Sequence, residues 1–162
     1  VGRQVVQLLA PFNCTILACD IVDYAEFYAE HSITPVDQDE LAARSEVLSL
    51  HLPLTDQTRN LYDSKRLAQM RRDCVLINTC RGGIVDENSL LQALTNQQIS
   101  AACFDVFAQE PPTNDELLAL PNFLATPHLA GSAEEAKLAM GRAAIRGLSQ
   151  NAIPRPGQSP FI

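Results

Sequence analysis

The segment VLSLHLPLTDQTRNLYDSKRLAQMRRDCVLIN, residues 47–78, decides the fold. It opens on one apolar run, VLSLHL (47–52), and closes on another, CVLIN (74–78). Between them SKRLAQMR (64–71) has the pattern of a helix, with Ser64 placed to cap its N-terminus. Strand, helix and strand in that order form a βαβ unit, whose crossover is right-handed. Several of the apolar runs show no alternation of polar and apolar residues, the pattern of parallel strands covered by helices on both faces.

The same alternation continues in both directions. Upstream lie the strand candidates CTILACD (14–20) and ITPV (33–36), and downstream ISAACFDVF (99–107) and FLATP (123–127). Helical stretches separate them. RQVVQLLAPF (3–12) sets Val5, Val6, Leu8 and Leu9 along one side, and DQDELAARS (37–45) and DENSLLQALTNQ (86–97) follow, the latter with Asp86 ahead of Leu90, Leu91 and Leu94. A short helix is expected to begin at Asp23. A long one follows Ser132, which forms a capping-box pattern with Glu135. The expected fold is α/β, a doubly wound parallel sheet over residues 1–150, with the Pro-rich 151–162 as a tail that cannot continue the last helix.

Composition removes several function classes. A formal net charge of −7 argues against nucleic acid as a partner, because phosphate neutralisation needs clustered Lys and Arg. The densest basic stretch, KRLAQMRR (65–72), reads as the polar face of a helix. No apolar run is long enough to span a bilayer, so no membrane partner is expected. The cysteines Cys14, Cys19, Cys74, Cys80 and Cys103 are odd in number and contain no C-x-x-C pair. That points away from a metal site and from a disulfide framework, and fits a reducing cytoplasm.

Chemistry first shows at the N-terminus. Gly2 stands directly before an amphipathic helix, where the last glycine of a dinucleotide-binding turn belongs. An acidic residue about 20 positions on should close the next strand and meet the adenosine ribose, and Asp20 closes CTILACD. A carboxylate there repels a 2′-phosphate, so NAD is favoured over NADP. A plain helix N-cap is the competing reading of Gly2.

Three polar landmarks then follow apolar strands, where open α/β sheets bind ligands. They are Arg81 in CVLINTCRGGIVDE, Asp105 and Glu110 in CFDVFAQEPP, and His128 in FLATPHLAGS. Taken singly, Arg81 could cap a helix, Glu110 could be a loop acid and His128 could be a structural histidine. Taken together they supply a carboxylate grip, an imidazole for proton transfer and an acid to orient it. His51 ends a strand and is placed to line the cleft.

Residues 51–112, HLPLTDQTRNLYDSKRLAQMRRDCVLINTCRGGIVDENSLLQALTNQQISAACFDVFAQEPP, followed by LPNFLATPHLAG (120–131), resemble the D-isomer-specific 2-hydroxyacid dehydrogenases. The resemblance implies that Arg81 holds the substrate carboxylate, that His128 donates and accepts the proton, and that Glu110 partners His128. On the cofactor side it implies that Val1 and Gly2 end the glycine turn and that Asp20 takes the ribose. It places Leu52, Pro53 and Thr58 at a strand-end contact, and Thr79 and Cys80 beside the nicotinamide. Asp105 is matched to a carboxamide contact and Gly131 to the nicotinamide pocket. The implied cofactor is NAD, the implied substrate a small 2-hydroxy or 2-oxo acid, and a homodimer using the long helix after Ser132 is compatible with it. Counterparts of the family's first strand, its first two turn glycines and most of its substrate domain are not found in these residues. A doubly wound fold lacking that central strand should divide into two half-sheets. An NAD(H)-sensing module of the corepressor type and an inactive fragment are the alternatives.

Overall fold

A computed structural model of the chain describes residues 1–149, and the expected tail at 151–162 lies outside the described residues. Two compact units make up the chain, Val1–Pro127 and a second from His128 onward.

The first unit alternates helix and strand. Its strands are β1 (Leu17–Ala18), β2 (Thr34–Pro35), β3 (Val47–Leu50), β4 (Val75–Asn78), β5 (Ala101–Phe104) and β6 (Phe123–Ala125). Its helices are α1 (Gly2–Leu9), continued by a 3-10 turn over Ala10–Phe12, α2 (Ala25–Glu30), α3 (Gln38–Arg44), α4 (Ser64–Gln69), α5 (Glu87–Thr95) and α6 (Asp115–Leu118). Every ladder is parallel. The strands fall into a β1–β2 pair and a separate sheet in the order β3-β4-β5-β6, the division expected of a doubly wound fold without its central strand. β1 and β2 are shorter than the apolar runs that contain them.

Register explains where the core sits. One row across the sheet is Leu48, Leu76, Ala102 and Phe123, and the next is Leu50, Asn78, Phe104 and Ala125. Most of both rows is buried, against Leu67 of α4, Leu90 and Leu94 of α5, and Leu117 of α6. Phe104, Phe107 and Phe123 close one end as a cluster of tilted and edge-on rings, with the Phe104 and Phe123 centroids 5.5 Å apart. Residues of opposite parity behave differently. Val75, Ile77, Ala101 and Cys103 are only half-buried, and Val47 and Leu124 are each 61% exposed. Cover on both faces, expected from the unbroken apolar runs, is therefore only half realised. Apolar character states that a strand can be buried on both faces, not that both are.

Local signals set the helix ends. Asp37, Asp63, Asp86 and Asn114 each accept the backbone N–H three residues on, at 2.8, 2.9, 2.7 and 3.1 Å, and so cap α3 to α6. The cap of α4 is thus Asp63, and Ser64 is its first helical residue. Both residue types are good caps, and the carboxylate wins the position nearer the positive end of the helix dipole. The expected helix after Asp23 is α2, with Tyr24 at its N-cap.

In the second unit the long helix α7 runs over Glu134–Ser149. It begins two residues after Ser132, whose hydroxyl donates to the His128 carbonyl at 3.3 Å. The capping-box pattern is therefore not what starts this helix.

Candidate active site

The site is built from the carboxyl end of β4 outward. Asn78, the last strand residue, is 1% exposed, and the next three residues wrap around its side chain. Its Nδ2 donates to the Arg81 carbonyl at 3.0 Å, while its Oδ1 accepts the Cys80 N–H at 3.2 Å and the Cys80 thiol at 3.1 Å. The turn is thereby fixed from below, and Arg81 stands exposed at its tip with Nη1 donating to the Cys80 carbonyl at 2.6 Å. From the side, the loop after β3 is laced to the same segment. Asn60 N–H donates to the Gly83 carbonyl at 2.8 Å, and Tyr62 N–H to the Ile84 carbonyl at 3.1 Å. Tyr62 is 3% exposed, and burial pushes its phenol up to about 12.

Gly82 follows Arg81 and admits no side chain. A Cβ there would lie 1.8 Å from the Phe107 carbonyl oxygen and 2.5 Å from the Ala108 nitrogen. Both are backbone atoms that cannot rotate aside, so we expect Gly82→Ala to destabilise the fold by about 3 kcal/mol, the upper range for overpacking. Thermal or denaturant unfolding would show it, and an unchanged midpoint would contradict this packing.

A cleft of about 410 Å³ brings together Val1, Leu52, Pro53, Thr79, Cys80 and Arg81, with His51 and Leu54 completing its lining. Six residues expected at the cofactor or substrate are therefore gathered at one place. Gly2 adjoins them, its would-be Cβ 3.5 Å from His51 Cδ2. Burial pushes the His51 imidazole below its usual value, which favours the neutral ring at pH 7. Leu54 was not foreseen, because a loop leucine carries no signal of facing a ligand. Thr58 does not line the cleft. Its hydroxyl donates to the Pro53 carbonyl at 2.7 Å and accepts the Thr55 N–H at 2.8 Å, so it shapes the loop that carries Leu52 and Pro53.

Asp20, Asp105 and Glu110 do not line this cleft. Asp20 lies just past β1, and its Oδ1 accepts the Val22 N–H at 3.0 Å. Asp105, directly after β5, is 4% exposed and accepts the Thr126 hydroxyl, tying the ends of β5 and β6 together. Glu110 is exposed, and its Oε1 accepts the Phe107 N–H at 3.1 Å. In the second unit His128 is exposed with φ of 53°, the left-handed region, and Gly131 lies beside it, its would-be Cβ 4.0 Å from His128 Cδ2. Among the described residues no group of three His, Cys, Asp or Glu is placed to hold a metal ion, and no helix is long and apolar enough to cross a membrane.

Residues 1–130 match the family described as D-isomer specific 2-hydroxyacid dehydrogenase, NAD binding domain. The chain belongs to this family. Among the 2-hydroxyacid dehydrogenases it is 35% identical over 165 aligned positions to the D-3-phosphoglycerate dehydrogenase of Methanocaldococcus jannaschii, covering 96% of this chain and 32% of that protein. It is also similar to the solved D-lactate dehydrogenase of Sporolactobacillus sp., at 34% identity and a TM-score of 0.83, over 98% of this chain and 51% of that one. The D-lactate dehydrogenase of Lactobacillus jensenii, solved with NAD+, gives 31% identity and a TM-score of 0.80, over 90% of this chain and 47% of that one. The chain thus spans about a third to a half of these three relatives.

The residues present fit the NAD of this 2-hydroxyacid dehydrogenase domain. α1 begins at Gly2 with no side chain capping its N-terminus and no acid in its first turn. Its leading amides and the positive end of its dipole suit a pyrophosphate. The cleft beside that helix end is lined by Val1, Leu52, Pro53 and Leu54 as well as polar groups, which suits an aromatic ring with a polar amide edge.

Proposed function

We propose that these residues serve an NAD-dependent oxidoreductase that transfers a hydride between NAD(H) and a D-2-hydroxy acid/2-oxo acid pair. The observation that carries this reading is the cleft in which Arg81 stands beside the residues expected to hold the cofactor, Val1, Leu52, Pro53, Thr79 and Cys80. When bound, the nicotinamide supplies or accepts the hydride. Arg81 grips the substrate carboxylate and stabilises charge that develops on the substrate oxygen. His128 removes the hydroxyl proton during oxidation and, entering protonated, returns it to the oxygen during reduction. Glu110 is the acid partner that fixes the orientation of the imidazole. The first-turn amides of α1 and Gly2 take the pyrophosphate, Asp20 takes the ribose, Thr58 shapes the Leu52–Pro53 contact, and Asp105 and Gly131 complete the nicotinamide pocket. All five cysteines are free thiols, which suits a reducing cytoplasm.

The test is a screen of the full-length protein with NADH against glyoxylate, pyruvate, hydroxypyruvate and 3-phosphohydroxypyruvate. Oxidation of NADH by at least one of them is expected. Saturable NADH binding with turnover of none would replace the enzyme by an NAD(H) sensor, and failure to bind would leave an inactive fold.

Asp20 makes a second expectation concrete. A carboxylate hydrogen-bonded to the ribose hydroxyls disfavours a 2′-phosphate. NADH should therefore be preferred over NADPH by at least about tenfold, one charge repulsion of roughly 1.4 kcal/mol, and Asp20→Ser should narrow the ratio. Equal kcat/KM for the two cofactors in the unaltered protein would remove Asp20 from this role.

A further inference from the structure

Two loops carry Arg81 and Glu110, and the structure couples them through a residue that the hydride-transfer reading does not use. The backbone of Phe107 and Ala108 is held on three sides. Glu110 Oε1 accepts the Phe107 N–H at 3.1 Å. Gly82 packs so closely that a Cβ on it would sit 1.8 Å from the Phe107 oxygen. The third contact comes from Glu87, whose Oε1 accepts the Ala108 N–H at 2.7 Å across 21 residues of sequence.

Glu87 is well suited to act as a fixed point. It is the first residue of α5, behind the Asp86 cap, so its backbone is anchored and its negative charge meets the positive end of the helix dipole. It is half-buried. The segment from Arg81 to Glu87 therefore touches the Phe107–Ala108 peptide at both ends, through Gly82 and through the Glu87 carboxylate. An anionic acceptor on a backbone N–H makes a stronger bond than a neutral one.

We propose that Glu87 is a positioning residue that fixes the loop bearing Glu110 against the turn bearing Arg81. This role rests on the hydride-transfer reading above. Without the carboxylate the Ala108 N–H loses its partner, the 107–110 loop gains freedom, and Glu110 no longer keeps one orientation. The cofactor and substrate contacts lie on other residues, so binding is spared and the chemical step suffers.

The experiment compares the full-length protein with its Glu87→Ala and Glu87→Gln variants, by steady-state kinetics on the 2-oxo acid it reduces and by hydrogen exchange at the Ala108 amide. Glu87→Ala is expected to lower kcat about tenfold with KM for acid and NADH within about twofold, the split of an interaction that acts in the transition state. Its Ala108 amide should exchange at least about tenfold faster. Glu87→Gln keeps an acceptor oxygen and should recover most of the lost kcat and protection. A Glu87→Ala protein with unaltered kcat, or with an Ala108 amide as protected as before, overturns the role. So does a glutamine variant as impaired as the alanine one. An unaltered protein that reduces no 2-oxo acid sinks the hydride-transfer reading and this role with it, whereas turnover by the unaltered protein beside an unimpaired Glu87→Ala sinks this role alone.

Discussion

Arg81→Ala in the full-length protein is expected to lower kcat/KM for 2-oxo acid reduction about a thousandfold, close to 4 kcal/mol of transition-state stabilisation. Two losses combine. The guanidinium no longer grips the substrate carboxylate through paired N–H donors, and the developing oxyanion loses its positive neighbour. The fold should not notice. Arg81 is exposed, among the described residues its side chain bonds only to the adjacent Cys80 carbonyl, and the turn is held by Asn78 beneath it. A substitution of that kind shifts stability by no more than about 0.5 kcal/mol. Arg81→Lys keeps the charge but loses the planar fork, so it should recover only part of the rate. Thermal unfolding and steady-state kinetics on the same preparation check both halves. A variant that keeps near-normal kcat/KM would contradict the assigned grip.

Removing the His128 imidazole should be the other large effect, about a thousandfold in kcat with NADH binding retained, the range of a lost general acid. The choice of variant follows from the backbone. With φ of 53°, His128 occupies a region that Asn tolerates better than Ala. His128→Asn is therefore the cleaner test, since it removes the proton carrier without adding backbone strain. The Ser132 hydroxyl bonds to the His128 carbonyl and not to its ring, so that contact survives the change. Titrating NADH binding beside turnover separates the outcomes. Normal turnover by His128→Asn would take the proton-transfer role away from His128.

Much of this arrangement was legible in the sequence because parallel α/β folds declare themselves through alternation. VLSL and VLIN are strands, SKRLAQ is a helix, and Arg81 follows the strand that ends at Asn78. Asp86 caps α5 because a carboxylate at that position meets orphan N–H groups. What stayed hidden depends on contacts distant in sequence. Nothing in RGG distinguishes Gly83, which needs φ of 77°, from Gly82, which needs space against Phe107. Glu87 reads as an ordinary first-turn acid until Ala108 is placed beside it. Thr58 carries a motif position yet spends its hydroxyl on its own loop. The short α6, from DELL, offers too few residues to show a period. The half-covered sheet was misread because Val47 and Leu124 are as apolar as the residues buried opposite them.

The central claim is that hydride passes directly between the nicotinamide and the carbon bearing the oxygen of a 2-oxo acid. Reduction of a 2-oxo acid by the full-length protein with NADH deuterated at nicotinamide C4, followed by mass spectrometry of the product, measures this directly. One deuterium retained at C2 of the 2-hydroxy acid is the predicted result when the label occupies the transferred position. No label in the product from either stereoisomer of the deuterated cofactor, or no product at all, would contradict it.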